Sequence, residues 1–380
     1  MDFLLTEENK LIQQTAREFA QTEVAKDAAE RDRLEKFPDQ HVKKMGQLGF
    51  MGVMVSPQYG GGGMDTISYV IIVEELSKAD ASVGVICSVN NSLVCYGIED
   101  FGDEELKQKY LVPLAKGEKL GAFCLSEPGS GSDAAAMKTT AVQNGDHFVL
   151  NGTKNFISNG MHADAYIVMA MTSPELRHKG ISAFIVDRNS PGLTIGKKEK
   201  KLGIRSSDTV SIIMEDCIVP QENLLGKEGE GFKVAMKTLD GGRIGIAAQA
   251  VGIAQASLEA SLRYSKERVQ FGQAISKYQA VQNMLADMDT NITAARLLTY
   301  QAAWKKDQKM SFSLDSAKAK VLASETAVDA ANKAVQIFGG YGYLKDYPVE
   351  RYMRDSKITE IYEGTSEIQR LVIARGLLKS

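Results

Sequence analysis

Cysteine and histidine are scarce in this chain, with four of each among 380 residues. Cys87, Cys95, Cys124 and Cys217 form no CxxC pair, and each sits in an apolar run. That argues against a disulfide framework or a zinc site, and for buried free thiols in a reducing compartment. His41, His147, His162 and His178 lie far apart, without partners at metal-ligand spacing, so they read as surface or core residues and no metal is expected. An excess of positive charge is missing too. Lys and Arg total 45 against 48 Asp and Glu, a net charge of −3. No general pull toward nucleic acid or an anionic membrane is expected. No uninterrupted apolar run reaches the roughly 18 residues that span a bilayer, so no membrane insertion is expected. The opening Met1-Asp2-Phe3-Leu4-Leu5-Thr6-Glu7-Glu8 is acidic and lacks the basic and apolar regions of a signal peptide, which favours the cytoplasm. Solenoid repeats and low-complexity tracts are also lacking.

What is present suits a globular protein: 44% hydrophobic and 24% charged residues. The length suggests two or three domains. Up to about residue 115 the chain reads as helical. Thr6 can cap a helix with Glu7 and Glu8 in its first turn, and Leu11, Ile12, Ala16, Phe19 and Ala20 share one face at helical spacing. Further helices fit Val42 to Leu48 and Ile67 to Leu76. Gly60 to Gly63 between them lack the Lys-Ser/Thr of a phosphate loop and read as a flexible connector. From about 120 to 230 the pattern turns to strands: Tyr166 to Met171, Ile181 to Val186, Val210 to Met214, with hairpin signals at Asn144-Gly145 and Asn151-Gly152. Long helices follow, from near Ile244 to Arg268, Val281 to Leu297, Ala317 to Ile337 and Ile368 to Leu378. The fold class is therefore α+β: an N-terminal helical domain over residues 1–120, an antiparallel β barrel or sandwich over 121–230, and a C-terminal four-helix bundle with short joints over 231–380.

Several segments could carry chemistry. Leu125-Ser126-Glu127-Pro128-Gly129-Ser130-Gly131-Ser132-Asp133 offers backbone N–H groups and hydroxyls to a polar ring edge or a phosphate, or is an ordinary Ser/Gly loop. Asn155-Phe156-Ile157-Ser158-Asn159 can set a flat face and a donor on one side of a strand, or simply place Phe156 in the core. Leu239-Asp240-Gly241-Gly242-Arg243 stands at the expected start of a long helix, where Asp240 would cap and anions would be attracted. Arg268 with Phe271-Gly272 and Gln279, and Gln336-Ile337-Phe338-Gly339-Gly340-Tyr341-Gly342-Tyr343, add a cation and helix-ending glycines. Ile361-Tyr362-Glu363-Gly364-Thr365-Ser366-Glu367 puts one carboxylate beside a glycine and two hydroxyls. Those are the surroundings a general base needs, although a polar turn between helices would look similar.

Taken together, these segments resemble the acyl-CoA dehydrogenase family along essentially the whole chain. The Leu125–Asp133 loop, continued to Ala136, resembles the family's first signature. Gln336 to Gly342 with Asp346, Arg351 and Asp355 resembles its second, and Ile361–Glu367 its catalytic segment. Ser88-Val89-Asn90-Asn91-Ser92-Leu93 and Thr238 to Ala247 are similar to the short-chain, butyryl-CoA type found in bacteria. The resemblance implies noncovalent FAD contacted by Phe123, Leu125, Ser126, Gly131, Ser132, Phe156, Ile157, Ser158, Thr365, Ser366 and Glu367. Arg268, Phe271, Gln279, Gln336, Ile337, Gly339 and Gly340 would reach cofactor across a subunit interface. Ser132, Asp240, Gly241, Gly242, Arg243 and Gly364 would bind acyl-CoA, and Glu363 would be the base. Phe156 replaces a common tryptophan and Ser158 a common threonine. Some relatives carry the base on the helix that holds Gly242. The implied activity is α,β-dehydrogenation of short-chain acyl-CoA, with electrons passed to an electron-transfer flavoprotein and a homotetramer built as a dimer of dimers. An acyl-CoA oxidase, a dehydrogenase for branched acyl-CoA and a non-catalytic acyl-CoA binding protein are the alternatives, and Glu363 argues against the last.

Overall fold

The computed structural model describes residues 5–379; Met1 to Leu4, the first half of the acidic opening, and Ser380 lie outside the described residues, as does the Lys379 side chain. Helix α1 (Glu7–Thr22) is capped by the Thr6 side chain, which accepts from the Asn9 N–H at 3.1 Å. Ile12, Ala16, Phe19 and Ala20 face the core, while Leu11 is exposed against expectation, because it lies about 100° around the helix from Ile12. After α2 (Ala28–Leu34) and α3 (Asp39–Gln47) come Gly60 to Gly63. They form a packed turn and not a flexible connector. The N–H groups of Gly62 and Gly63 donate to Gly52 O and Val55 O, and a Cβ at Gly61 would collide with Val55.

Helix α4 (Thr66–Ala79) is capped by Asp65 and leads into α5 (Ala81–Ser88), which continues through a π-helical stretch, Val89–Cys95, into α6 (Tyr96–Phe101). Among the described residues this run, Ala81–Phe101, is the one helix long and apolar enough to cross a membrane, yet 94% of its most apolar window is buried inside the protein. It is a core helix. Two short turns, α7 (Glu104–Leu106) and α8 (Val112–Ala115), close the helical opening.

The middle of the chain forms one eight-stranded sheet: β1 (Gly121–Cys124), β2 (Thr140–Asn144), β3 (His147–Ser158), β4 (Ala165–Met171), β5 (Ile181–Asp187), β6 (Leu193–Ile195), β7 (Thr209–Pro220) and β8 (Leu224–Leu225). Its order is β6-β7-β3-β2-β4-β5-β8, with β1 on β4. The sheet is mixed and not purely antiparallel, since β1 runs parallel to β4 and Thr140 pairs in parallel with Met171. The Asn144-Gly145 signal marks a real hairpin, in which Asn144 pairs with His147. Asn151-Gly152 marks none. Gly152 stays inside β3 at φ 147°, beside a register shift, and a Cβ there would lie 2.5 Å from Thr139 Oγ1. Its glycine serves a bulge and a close approach.

The last part begins with α9 (Gly231–Glu267), which starts well before the expected Ile244. Asp240 is therefore inside the helix and caps nothing. Gly241 and Gly242 are poor helix formers, but burial of the surrounding faces overrides that preference. A small hairpin, β9 (Val269–Gln270) with β10 (Gln273–Ala274), leads to α10 (Gln279–Asp307), α11 (Ser313–Phe338), α12 (Val349–Ser356) and α13 (Ser366–Lys379). The joint from α11 to α13 is long and carries α12, against the expected short joint. Buried Ala247, Ala250 and Ala254 on α9, and Ala319, Ala323 and Ala327 on α11, belong to one apolar cluster that also takes in α1, α4 and α10. Small side chains on both helices let their axes approach closely.

One buried pair ties the Leu125–Asp133 loop to the sheet. Lys154 of β3 is fully buried and donates to Glu127 Oε1 at 2.8 Å and Leu125 O at 3.2 Å. Glu127 also accepts from the N–H groups of Lys138 (2.6 Å) and Thr139 (3.0 Å). Removing one member strands a buried charge, so Lys154→Met should lose about 3–5 kcal/mol of stability, and adding Glu127→Gln should return part of that loss. Urea unfolding of the two variants checks this; a Lys154→Met loss under about 1 kcal/mol would contradict the account.

Candidate active site

Glu363 sits where the chain leaves a short 3₁₀ turn, Lys357–Glu360, and has not yet entered α13. Its backbone is left-handed at φ 53°, and Gly364 follows at φ 89°. Such a conformation is strained for a residue with a side chain and persists only where its surroundings impose it. Here they do. Gln369 Nε2 donates to Glu363 O at 3.2 Å and to Gly364 O at 3.0 Å, and Lys320 Nζ donates to Gly364 O at 2.7 Å. On the other side the Tyr362 hydroxyl donates to Gln249 Oε1, and Gln249 Nε2 donates to Ala81 O at 2.9 Å. The strained peptide is thus clamped to α9, α11 and α13.

The clamp aims the carboxylate at α9. A Cβ built on Gly242 would collide with Glu363 Oε2 and lie 2.8 Å from Leu93 Cδ2. Glu363 Oε2 is buried and has no hydrogen-bond partner among the described residues. Burial pushes the Glu363 carboxyl up to about 7, against the pull of Lys320 and Arg243. Arg243 itself is buried and bound to Asp240 at 2.5 Å, and Asp240 accepts from Ser313 Oγ at 2.9 Å. Of the residues expected to bind acyl-CoA, Gly242, Arg243 and Gly364 therefore meet at Glu363. Asp240 and Gly241 immediately precede Gly242 in α9, with Ser92 O and Lys306 Nζ near Gly241.

The residues expected around FAD fall into two groups. In the first, Phe123 ends up on β1, and the Asn155 N–H ties the loop to β3 by donating to Ser126 O at 2.8 Å. Leu125 and Ser126 are half-buried, Gly131 and Ser132 are exposed, and a Cβ on Gly129 or Gly131 would meet nothing within 4 Å. Phe156 is not in the core. It is 68% exposed at φ 59°, in a register shift between Lys154 and Ile157 that breaks the simple alternation with Ser158; Ile157 is buried. Thr365 Oγ1 accepts from the Ile368 N–H at 3.3 Å and so opens α13, while Glu367 is exposed. Ser366 Oγ and Gln369 Oε1 are buried without a partner. An open glycine loop, an outturned aromatic ring and two orphaned polar atoms close in sequence to Glu363 fit a planar, polar cofactor such as FAD.

The second group surrounds another cavity of about 470 Å³ at the end of α11, lined by Arg268, Ile337, Gly339 and Gly340 together with Tyr264 and Tyr341. Gly339 ends α11 at φ 59°. Gln279 and Gln336 are exposed, and Phe271, at the tip of the β9–β10 hairpin, is 95% exposed. Tyr278 stands edge-on to that ring at 6.5 Å, and none of the described residues buries it.

Sequence reading missed Lys320 and Gln369. Lys320 had a signal: it interrupts the apolar stripe of α11 in step with Ala317, Ala323 and Ala327. Gln369 had none. Between them two side-chain nitrogens make three hydrogen bonds to a two-residue backbone segment, one from α11, 44 residues away, and one from the first turns of α13.

The raised Glu363 carboxyl makes a signed prediction. The folded state holds that proton more tightly than the unfolded chain, whose glutamate titrates near its ordinary 4.5. Stability gained at low pH is then lost as pH rises through about 7. Glu363→Gln, neutral throughout, should melt above the parent at pH 8 and close to it at pH 4.5. Melting curves of the cofactor-free proteins decide; a gap that does not widen with pH would contradict the assignment.

Comparison with known proteins bears on the whole chain. The acyl-CoA dehydrogenase N-terminal, middle and C-terminal domain models match residues 6–118, 122–217 and 229–378. The "Acyl-CoA dehydrogenase, short-chain specific" of Clostridium acetobutylicum is 56% identical over 98% of this chain and 99% of its own length. The structure of butyryl-CoA dehydrogenase from Megasphaera elsdenii superposes with a TM-score of 0.98 at 48% identity, covering all of both chains. A chain in a structure described as "Electron transferring flavoprotein of Acidaminococcus fermentans: Towards a mechanism of flavin-based electron bifurcation" superposes at 0.99 with 53% identity, again over both full chains. With three family models in order and relatives above half identity over nearly its full length, this chain belongs to the acyl-CoA dehydrogenase family.

Proposed function

We propose that the protein is an FAD-dependent short-chain acyl-CoA dehydrogenase that converts butyryl-CoA to crotonyl-CoA, with Glu363 as the base. The observation that carries this reading is the buried, unpartnered Glu363 Oε2 facing the α9 backbone at Gly242. A relative with its base on that helix would need a side chain at this position, and here there is glycine. Phe123 to Ser132, Phe156 to Ser158 and Thr365 to Glu367 would hold the cofactor, and Gly242, Arg243 and Gly364 the thioester end of the substrate. When bound, FAD supplies the acceptor for the hydride that leaves the β carbon. Glu363 takes the α proton. That C–H is a weak acid, so the developing charge on the thioester oxygen needs donors. Among the described residues the Glu363 N–H has no backbone acceptor, and it is suited to this; one such donor is typically worth about 3 kcal/mol. A carboxyl already raised by burial is closer in basicity to its task than a solvated one.

Further parts of the reading follow. The cavity at Arg268 and Gly339-Gly340 would take cofactor from a neighbouring subunit in a homotetramer, with the exposed Phe271 as part of that contact. Electrons would pass to an electron-transfer flavoprotein. The four buried free thiols suit a reducing compartment, and a cytoplasmic location is proposed.

Anaerobic titration of the yellow holoenzyme with butyryl-CoA tests the activity: flavin absorbance should bleach in the parent. In Glu363→Gln, flavin and ligand binding should persist while reduction slows by about a thousandfold or more. Near-normal reduction would remove Glu363 from the role.

Chain length is the second test. Leu93, Tyr69 and Ser88 are buried against Gly242 and Gly245, and each fitted methylene is worth only about 0.8 kcal/mol, whereas overpacking costs about 1–3 kcal/mol. At Gly84 a Cβ would collide with Ser77 Oγ, so a cationic side chain for a dicarboxylic substrate has no room. Values of kcat/KM should peak at butyryl-CoA and fall steeply by octanoyl-CoA, with isobutyryl- and glutaryl-CoA poor. A maximum at octanoyl-, branched or dicarboxylic thioesters would overturn the short-chain assignment.

A further inference from the structure

Lys320 is among the largest fully buried side chains of the protein, at 0% exposure. A lysine so deep normally meets a carboxylate. Among the described residues Lys320 forms no ion pair, and the one hydrogen bond of its ammonium, at 2.7 Å, goes to the carbonyl of Gly364. That carbonyl belongs to the second of the two left-handed residues that aim Glu363 at α9. Only Gln369, a neutral donor at 3.0 Å, shares it. A charge-assisted bond is shorter and stronger than a neutral one, so Lys320 is the firmer of the two anchors. The Glu363 carboxylate is also the charge that most favours the protonated amine, while burial pulls it down to about 8.

We infer that Lys320 is a positioning residue for the α-proton transfer: it fixes the Glu363–Gly364 backbone and stabilises the ionised base. The inference rests on the reading of Glu363 as the base. The geometry gives both halves. The bond to Gly364 O is direct, and of the two cations that act on the Glu363 carboxylate the Lys320 ammonium is the one not paired with another carboxylate. Arg243, from α9, is the other cation facing Glu363, but it is bound to Asp240. Tyr362 from the same segment and Tyr69 from α4 face the carboxylate as neutral hydroxyls, and Glu360 and Glu367 act on Lys320 from the flanks of the segment. Lys320 would therefore act through Glu363 and not on the substrate.

Three variants of the holoenzyme test this: Lys320→Met, which keeps length but loses donor and charge, Lys320→Arg, which keeps both, and Lys320→Met with Glu363→Gln. Flavin occupancy is read by absorbance, and anaerobic single-turnover reduction by butyryl-CoA is followed from pH 5.5 to 9.5. Lys320→Met should bind flavin, react at least about tenfold more slowly at pH 7, and have the midpoint of its rising pH–rate limb moved up by about one unit, because a nearby opposite charge has gone. Lys320→Arg should return the midpoint toward the parent's. The double variant should be no slower than Glu363→Gln alone, since Lys320 has nothing left to position. An unmoved midpoint in Lys320→Met, or a double variant slower than Glu363→Gln by the full factor of the single change, overturns the inference. Should Lys320→Met not fold, Lys320→Gln is read by the same midpoint and the same pairing with Glu363→Gln. Glu363→Gln alone separates the two readings: if it reduces flavin normally, the base assignment fails and the inference about Lys320 fails with it. If it is inactive while Lys320→Met keeps the parent's midpoint, only the inference fails.

Discussion

A carboxylate kept away from water is the constraint around which the centre of this protein is organised. An ionised carboxylate in a dry site is unfavourable unless cations or donors face it. Among the described residues Glu363 Oε2 has no partner, so the compensation comes through space, first from Lys320, which holds the neighbouring carbonyl, and then from Arg243, whose charge is partly offset by Asp240. Those two cations come from α11 and α9, the two helices whose alanine faces let them pack closely. The close packing of the bundle and the charge balance at Glu363 are therefore the same problem. If α9 and α11 moved apart, the carboxylate would gain water and lose its aim.

The way the segment is held suggests why a residue with a side chain tolerates a left-handed backbone there. Three hydrogen bonds from two side chains converge on two carbonyls, and Tyr362 is tied to α9 through Gln249. Their convergence removes the alternatives open to a flexible turn and holds the carboxylate along one line.

Much of this was legible in the sequence, and the exceptions have physical causes. The Thr6 cap, the Asn144-Gly145 hairpin and the helix–sheet–helix order depend on local chemistry and periodicity, and local rules suffice for them. Asn151-Gly152 looked like a second hairpin because a glycine for a turn and a glycine for a bulge read alike; only the close approach of Thr139 distinguishes them. Asp240 looked like a cap because Gly241-Gly242 resemble a break, and tertiary burial carried the helix straight through. Gly60 to Gly63 looked loose because backbone hydrogen bonds to Gly52 and Val55 leave no mark on the sequence. At the site, Glu363 stood out by its neighbours. Lys320 left only an odd charge in an alanine stripe, and Gln369 left nothing, because a hydrogen bond to a backbone carbonyl asks no particular residue of the partner.

Gly242 has a meaning for descent as well as for packing. The volume a side chain there would fill is already filled by the Glu363 carboxylate. Two glutamates at 242 and 363 would crowd like charges into one dry space, and one of them would have to stay protonated. A lineage could therefore move its base between the loop and the helix only by exchanging both positions, with a disabled intermediate on either path. The two placements are separated by a valley, so the position of the base should be an old and stable mark of ancestry, slower to change than the length of chain the pocket accepts.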